Sequence, residues 1–255
     1  MPPRRTYFER VSHGPLTARF APFRVLRPAR WDDASTGVPM PGYATRLVPL
    51  CIGGHRYTIR ALSDNQQYAD PHGLAKRAGI SSALWSLFGQ VWPAGRVLAQ
   101  AMSAFEIGGK RILEIGCGLG LSSLVLQRRG ANILASDHHP LAETFLQHNA
   151  ALNGMTPVPY HDLPWATDDA ALGRFDLIIG SDVLYERDHA AQLTALVHRH
   201  AHPRAEVVIT DPGRGNSGPF TTALIKLGFQ VEEQRTPFDD GDEAPYRGRL
   251  LSYRR

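Results

Sequence analysis

From residue 93 onward, short apolar runs alternate with longer runs in which apolar residues recur at helical spacing. The short runs predict buried strands, and the longer runs predict helices. The predicted strands are RILEIG (111–116), NILASD (132–137), VPYHDL (158–163), FDLIIGSD (175–182), AEVVIT (205–210), FQVEEQ (229–234) and RLLSYRR (249–255). The predicted helices cover residues 93–105, 119–130, 140–154, 187–202 and 217–227. This alternation predicts an α/β fold with a parallel sheet that is covered by helices on both faces.

The first 92 residues follow a different pattern. Two β-like runs within residues 45–62 flank a Gly-Gly pair and predict a β-hairpin. Residues 1–42 are rich in Pro and Arg and are predicted to be irregular. We therefore predict two parts, an N-terminal extension with the β-hairpin over residues 1–92 and an α/β domain over residues 93–255.

The amino-acid composition says more about the cellular compartment of the protein than about its function. Of the 28 basic residues only three are Lys, and the formal net charge is +4. The Arg residues are scattered along the sequence. A codon bias therefore explains their number better than a surface that binds an acidic partner. Two cysteines do not make a disulfide framework. With no apolar run of membrane-spanning length and no hydrophobic leader segment, these features predict a cytoplasmic protein without a membrane partner.

A glycine-rich turn follows the first strand of the predicted domain. The sequence LEIGCGLG (113–120) places Glu114 before Gly116, Gly118 and Gly120. A dinucleotide-binding fingerprint would need its third glycine at position 121, which is Leu, and the chain has no P-loop. A carboxylate beside the turn would also repel a pyrophosphate. The turn therefore favours a ligand with a cationic or amino group.

A second acidic residue, Asp137, ends the next predicted strand. A carboxylate at this place can accept hydrogen bonds from both hydroxyls of a ribose, and ligands of such sheets bind beyond the carboxyl ends of the strands. Glu114, the glycine turn and Asp137 together indicate S-adenosylmethionine, which has a ribose, an amino acid and a sulfonium but no phosphate. A structural turn in a fold that binds another nucleoside is the alternative.

Four stretches carry a resemblance to a known family: VWPAG (91–95), LEIGCGLG (113–120), LASDHHP (134–140) and SDVLYER (181–187). Over residues 45–255 the chain resembles the seven-β-strand methyltransferases, and within them the protein-lysine methyltransferases of methyltransferase family 16. The resemblance implies a doubly wound, seven-stranded Rossmann-like sheet with an N-terminal β-hairpin extension. It also implies S-adenosyl-L-methionine as the cofactor and a protein carrying a lysine as the substrate.

The same resemblance assigns the cofactor site. Trp92 matches a Trp that lines the methionine end of the cofactor, and Trp165 matches a Trp near the adenine. The short stretch ITDPGRG (209–215) is similar to the branch that methylates the electron-transfer-flavoprotein β subunit. The predicted cofactor-binding residues are Trp92, Glu114, Gly116, Cys117, Gly118, Gly120, Asp137, His138, Asp162, Trp165 and Ser181.

The predicted catalytic residues are Asp182 and Tyr185, which match the family's acidic-x-x-aromatic motif after the fourth strand of the domain. The reaction is an attack by an amine lone pair on a sulfonium methyl. A carboxylate alone raises the pKa of a nearby amine, so we expect Asp182 to orient the amine by accepting a hydrogen bond. We expect Tyr185 to line the acceptor channel. The structural alternative is that Asp182 caps the next helix and Tyr185 only packs.

Several other functions fit these residues less well. Amino-group methylation of nucleic-acid bases usually uses a D/N-P-P-aromatic motif, and the corresponding position holds SDVLY. A nucleic-acid substrate is therefore an alternative that these residues do not favour. A small-molecule amine substrate stays open, as does a cofactor-binding module without catalysis. His198 and His202 have a spacing that can bind metal, but no Cys or acid lies beside them in the sequence, and we predict no metal site.

Overall fold

The computed structural model of the chain describes residues 43–64, 70, 73–235 and 246–255. The prediction for residues 1–42 lies outside this part. The described elements confirm the α/β class, with a seven-stranded sheet and a separate two-stranded N-terminal sheet. Within the described residues, no helix has both the length and the apolar character that a membrane span requires.

The N-terminal sheet is the predicted hairpin. Strand β1 (Thr45–Ile52) pairs antiparallel with β2 (His55–Leu62), and the two glycines of the turn have positive φ. Two asparagines hold its second strand, one within a later helix and one directly after it. The amides of Thr58 and Arg60 donate to the side-chain oxygens of Asn153 and Asn149, at 2.9 and 2.7 Å. The hairpin is therefore fixed to the domain through hydrogen bonds between its backbone and these two side chains.

Helices alternate with the strands of the large sheet. The helices are α1 (Leu74–Arg77), α2 (Pro93–Ala104), α3 (Leu121–Arg128), α4 (Ala142–Leu152), α5 (His189–His200) and α6 (Ser217–Lys226). The strands are β3 (Arg111–Ile115), β4 (Asn132–Asp137), β5 (Tyr160–Asp162), β6 (Phe175–Ser181), β7 (Ala201–Asp211), β8 (Gln230–Arg235) and β9 (Arg249–Arg254). Short 3₁₀ helices cover Ser82–Leu87 and Ala170–Leu172.

The strand order of the large sheet is β5-β4-β3-β6-β7-β9-β8. Strands β3 to β7 are parallel, whereas β9 is inserted antiparallel between β7 and β8. The sheet is thus mixed at one edge rather than parallel throughout. Strand β7 also begins at Ala201, directly after α5 and four residues before the predicted run.

The order of the strands brings the predicted site residues to one edge. Because β3 lies between β4 and β6, the chain leaves the sheet in opposite directions from the carboxyl end of β3, which is where open α/β sheets bind ligands. Glu114 lies near that end of β3, Asp137 ends β4 and Ser181 ends β6. The first turns after these three strands therefore surround one crevice.

Candidate functional site

A cavity of about 410 Å³ opens at the carboxyl ends of β3, β4 and β6. This volume is within the range of small-molecule sites in proteins, which is roughly 300–1,000 Å³. It is lined by both predicted catalytic residues and by nine of the predicted cofactor-binding residues, which are Trp92, Glu114, Gly116, Cys117, Gly118, Asp137, His138, Trp165 and Ser181. Gly120 and Asp162 are not part of the lining.

The glycine turn after β3 requires glycine for two different reasons. Gly116 has a φ of 62°, and a Cβ atom there would lie 3.0 Å from Val183 and 3.4 Å from Trp165, at the floor of the cavity. Gly120 also has positive φ, but a Cβ there would clash with Leu146 of α4. Gly116 thus keeps the cavity open, whereas Gly120 allows helix α4 to pack against the turn.

Glu114 is a buried carboxyl group in the cavity lining, with 2% of its surface exposed. Burial raises its pKa to about 7, against the lowering effect of hydrogen bonds from Ser123 and Ser122. The Ser123 hydroxyl donates to the Glu114 carboxylate. The folded state therefore holds this carboxyl group in a setting where a nearby cation would favour its ionised form.

Replacing Glu114 by Gln should stabilise the ligand-free protein at high pH. The folded-state pKa lies above the unfolded value of 4.5. The ionised carboxylate therefore destabilises the fold increasingly as pH rises from the lower value to the higher, by roughly 3 kcal/mol above both. Urea denaturation of Glu114→Gln should show a gain that is small near pH 5 and largest near pH 8. The exposed Glu232→Gln is the matched control, and an equal gain at both pH values would contradict the assignment.

Asp137 connects β4 to the glycine turn. One carboxylate oxygen accepts from the backbone amide of Gly118, and the other accepts from that of His139, each at 2.8 Å. Its backbone carbonyl accepts from the Tyr160 hydroxyl at 2.9 Å. Each carboxylate oxygen keeps a further lone pair, so the group is held in place while it can still accept hydrogen bonds from a ligand.

Asp162, one of the two predicted residues outside the lining, contacts the lining through His138. Asp162 is exposed, and its carboxylate lies 3.0 Å from Nδ1 of His138, which does line the cavity. The other ring nitrogen of His138 contacts the backbone carbonyl of Ala78. Asp162 thus orients the His138 ring from outside, and its proposed contact with a cofactor stays a prediction.

Aromatic rings form two sides of the cavity. His189 of α5 lies edge-on to both Trp165 and Tyr185, with ring centroids 4.9 and 4.3 Å apart. The indole N–H of Trp92 donates to the backbone carbonyl of Leu87 at 2.9 Å, which fixes the ring at the start of α2. These rings make the cavity walls rigid and largely apolar.

Asp182 has a strained backbone at the end of β6. Its φ is 52°, a value that non-glycine residues rarely adopt, although Asp tolerates it better than most. Its amide donates to the carbonyl of Thr210 on β7 at 2.8 Å. The position before α5 is occupied by Asp188, not by Asp182. The structure therefore does not support a helix-capping role for Asp182.

Arg214 forms a two-pronged ion pair with Asp182. Its Nε and Nη2 atoms donate to the two carboxylate oxygens at 2.7 and 2.6 Å. Arg214 lines the cavity and follows β7, in the stretch ITDPGRG. The sequence prediction did not include this residue, although its place after a strand end was a usable signal.

Among the lining residues outside the predicted set, three bear aromatic rings: Phe88, His139 and His189. Phe88 stacks on His139, with ring centroids 3.7 Å apart, and His189 supports the two aromatic walls described above. Burial lowers the pKa of His139 to about 3, so the ring is neutral and packs as an aromatic group. Phe88 lies in a segment without regular periodicity, which gives no sequence signal for its place in the cavity.

Comparison with known proteins identifies related chains. The profile of a family described as lysine methyltransferase matches residues 81–218. The chain is 31% identical over 138 residues to the electron transfer flavoprotein beta subunit lysine methyltransferase of Mus musculus, covering 52% of each protein. It is 29% identical over 159 residues to the histone-arginine methyltransferase METTL23 of Homo sapiens, covering 60% of this chain and 84% of the relative. The chain thus spans about half the length of the mouse relative.

Solved structures share the fold. Magnesium protoporphyrin IX methyltransferase of Synechocystis PCC 6803, solved with bound SAM, superposes with a TM-score of 0.52 at 20% sequence identity, over 76% of this chain and 98% of that chain. At this identity the similarity establishes a common architecture and not a common substrate.

Proposed function

The chain belongs to the lysine methyltransferase family, and we propose that it is an S-adenosylmethionine-dependent N-methyltransferase acting on lysine side chains of a protein. The family resemblance drawn from its motifs is thereby confirmed. The observation that carries the proposed activity is one cavity that joins the glycine turn and Asp137 on one side to Asp182 and Tyr185 on the other. A cofactor and an acceptor amine could therefore meet in it.

The residues at the glycine turn fit S-adenosylmethionine. Two carboxyl groups, Glu114 and Asp137, line this part of the cavity, which suits a ligand with an amino group and a ribose but would repel a phosphate. The absence of a Cβ at Gly116 leaves the space that a ligand against the turn needs. When bound, the cofactor supplies a methyl group on a positively charged sulfur.

Asp137 would accept hydrogen bonds from the ribose hydroxyls, and Glu114 would face the amino group. Trp92 and Trp165 would line the two ends of the cofactor. Because the pKa of Glu114 is raised in the free protein, a cation beside it would favour the carboxylate and release a proton near neutral pH.

The acceptor residues would position the lysine amine. Asp182 offers carboxylate oxygens at the end of β6, and Tyr185 lines the same cavity. Burial raises the pKa of Tyr185 to about 12, so its hydroxyl stays protonated at neutral pH and can donate or accept a hydrogen bond. A free lysine amine is neutral only about once in 10³ at pH 7. Positioning of the neutral amine would then account for most of the acceleration.

Arginine is a second candidate acceptor. It is favoured by the relative named as a histone-arginine methyltransferase, of which this chain covers 84%. Lysine and arginine both carry nitrogen nucleophiles on long side chains, so the same channel could admit either. The products differ, since one reaction gives methyl-lysine and the other methyl-arginine.

We also propose a two-part organisation of the chain and a cytoplasmic location. The division into an extension over 1–92 and a domain over 93–255 is supported by the separate hairpin sheet. A cytoplasmic location is supported by the two cysteines, Cys51 and Cys117, which are both free thiols in the structure.

Labelling of a lysate tests the activity. Lysate from cells without this gene is incubated with the purified protein and methyl-tritiated S-adenosylmethionine, then resolved by size and hydrolysed to amino acids. We expect a labelled protein band that yields methyl-lysine, and no such band with the Asp182→Ala variant. Methyl-arginine would favour the second candidate. Label confined to nucleic acid or to low-mass compounds would contradict the proposal, as would a complete absence of label.

A further inference from the structure

The ion pair between Arg214 and Asp182 is built into the loop geometry. Arg214 lies between Gly213 and Gly215, whose φ angles of 96° and 91° allow the chain to turn back toward β6. The amide of Gly213 donates to the side chain of Asp211 at the end of β7, at 3.1 Å. Arg214 is thus held at a defined place, although its side chain is 38% exposed.

The ion pair with Arg214 leaves the Asp182 carboxylate able to accept further hydrogen bonds. A carboxylate has about four lone-pair sites, and the guanidinium uses one on each oxygen. Asp182 lines the cavity, and its side chain is 14% exposed. An amine that enters the cavity can therefore donate to Asp182 while Arg214 remains bound.

The other charged and titratable groups that act on the pair are mostly acidic or neutral. They are Tyr185 from the segment after β6, Asp211 from the end of β7 and Tyr246 from the segment before β9. Glu186 acts in turn on Tyr185. The hydrogen bonds that Arg214 donates to Asp182 raise the pKa of Arg214 further above its usual value, so this side chain keeps its positive charge at any pH used in an assay.

We infer that Arg214 remains paired with Asp182 during the reaction and acts as the counter-ion of the acceptor carboxylate. This inference rests on the proposed amine methylation. An unpaired carboxylate would hold the lysine as an ammonium ion, which has no lone pair for the attack. With its charge balanced by Arg214, Asp182 can orient the amine without raising the pKa of that amine. Arg214 is thus a positioning residue that acts through Asp182.

Binding of n-butylamine, used as a mimic of the lysine side chain, tests the charge balance without catalysis. At about pH 7 this amine is almost entirely an ammonium ion. Arg214→Gln should bind it about tenfold more tightly than wild type in an NMR titration, because a bare carboxylate attracts the cation. Arg214→Lys should stay close to wild type. Arg204→Gln, which removes an exposed Arg near the amino end of β7, is the control for the change in net charge.

The pH profile of methyl transfer tests the effect on reaction. With the gene-deleted lysate as limiting substrate, Arg214→Gln should be about tenfold slower than wild type near neutral pH and should recover as pH rises. A profile shifted upward by about one pH unit is therefore expected, with Arg214→Lys restoring the wild-type position. Thermal unfolding of each variant checks that the fold is intact.

Two results would overturn this inference and leave the proposed function unaffected. Equal n-butylamine affinity in wild type and Arg214→Gln would show that Arg214 does not shield the carboxylate. Faster methyl transfer by Arg214→Gln at neutral pH would show that Arg214 blocks the acceptor site instead of supporting it. If the wild type labels no lysine, the proposed function fails, while the n-butylamine comparison still decides whether Arg214 balances Asp182.

Discussion

Replacing Asp182 by Ala is expected to reduce methyl transfer at least a hundredfold while cofactor affinity changes by no more than several-fold. The carboxylate is the group at the acceptor end of the cavity that would orient the lysine amine, and a misplacement of about 1 Å at a reacting centre can lower the rate by roughly 10². Its side chain makes no hydrogen bond to Gly118 or the other glycines of the turn that would hold the cofactor. Single-turnover kinetics and calorimetry with S-adenosylhomocysteine separate the two effects.

Two further substitutions distinguish loss of the carboxylate from loss of the local backbone conformation. Asn tolerates the positive φ at position 182 and retains one acceptor oxygen, so Asp182→Asn should be less impaired than Asp182→Ala. Gly removes the backbone strain altogether, and Asp182→Gly should be as inactive as Ala. The exposed Asp188→Ala, at a helix start where no side-chain cap bond is made, is the matched control. Turnover near wild type in Asp182→Ala would reject the acceptor assignment.

The strand ends of this fold were predictable because each depends on a local pattern. Strands β3, β4 and β6 are five to seven residues long and are built on short apolar runs. A polar residue at or next to the carboxyl end of each strand lies at the same edge of a parallel sheet. Glu114, Asp137 and Asp182 were found in this way. The glycines of the turn were found with them, since close ligand approach and positive φ both require glycine.

The pairings between distant segments were not predictable from the same patterns. The Arg214–Asp182 pair joins residues 32 positions apart, and it forms because β6 and β7 are neighbours. The insertion of β9 between β7 and β8 likewise depends on which edge is free and not on the residues of the RLLSYRR run. Asn149 and Asn153 read only as polar positions of a helix, yet their side chains bind the hairpin.

Gly120 and Asp162 illustrate the reverse case. Their positions in the sequence motifs suggest a contact with the cofactor, but in the fold they contact other residues. Gly120 belongs to the glycine turn, but its missing Cβ makes room for Leu146. Asp162 ends a strand as Asp137 does, but β5 is the edge strand of the sheet, so its carboxylate is exposed and contacts His138. Sequence spacing predicts which edge of a sheet a residue lies at. Whether the residue lines a cavity depends on which strands flank that cavity.

Asp137→Ala is expected to weaken binding of S-adenosylhomocysteine at least a hundredfold. The carboxylate would supply two charge-assisted hydrogen bonds to the ribose, each worth roughly 1.5–3 kcal/mol. It also holds the amides of Gly118 and His139, so its loss leaves both donors without their partner and loosens the turn. The large effect therefore has two sources, the missing ligand contacts and the disordered binding surface.

Asp137→Asn should reduce both contributions without removing either. The amide oxygen can accept one of the two backbone N–H groups, but the amide NH₂ faces the other as a second donor. The retained oxygen keeps one of the two backbone bonds and one of the two ribose bonds, and the side-chain volume is kept, so affinity should lie between those of wild type and Asp137→Ala. The exposed Asp168→Ala is the control for a lost negative charge. If calorimetry shows that Asp137→Ala binds S-adenosylhomocysteine as tightly as wild type does, the ribose does not bind at this strand end. The placement of the cofactor in the cavity would then be wrong.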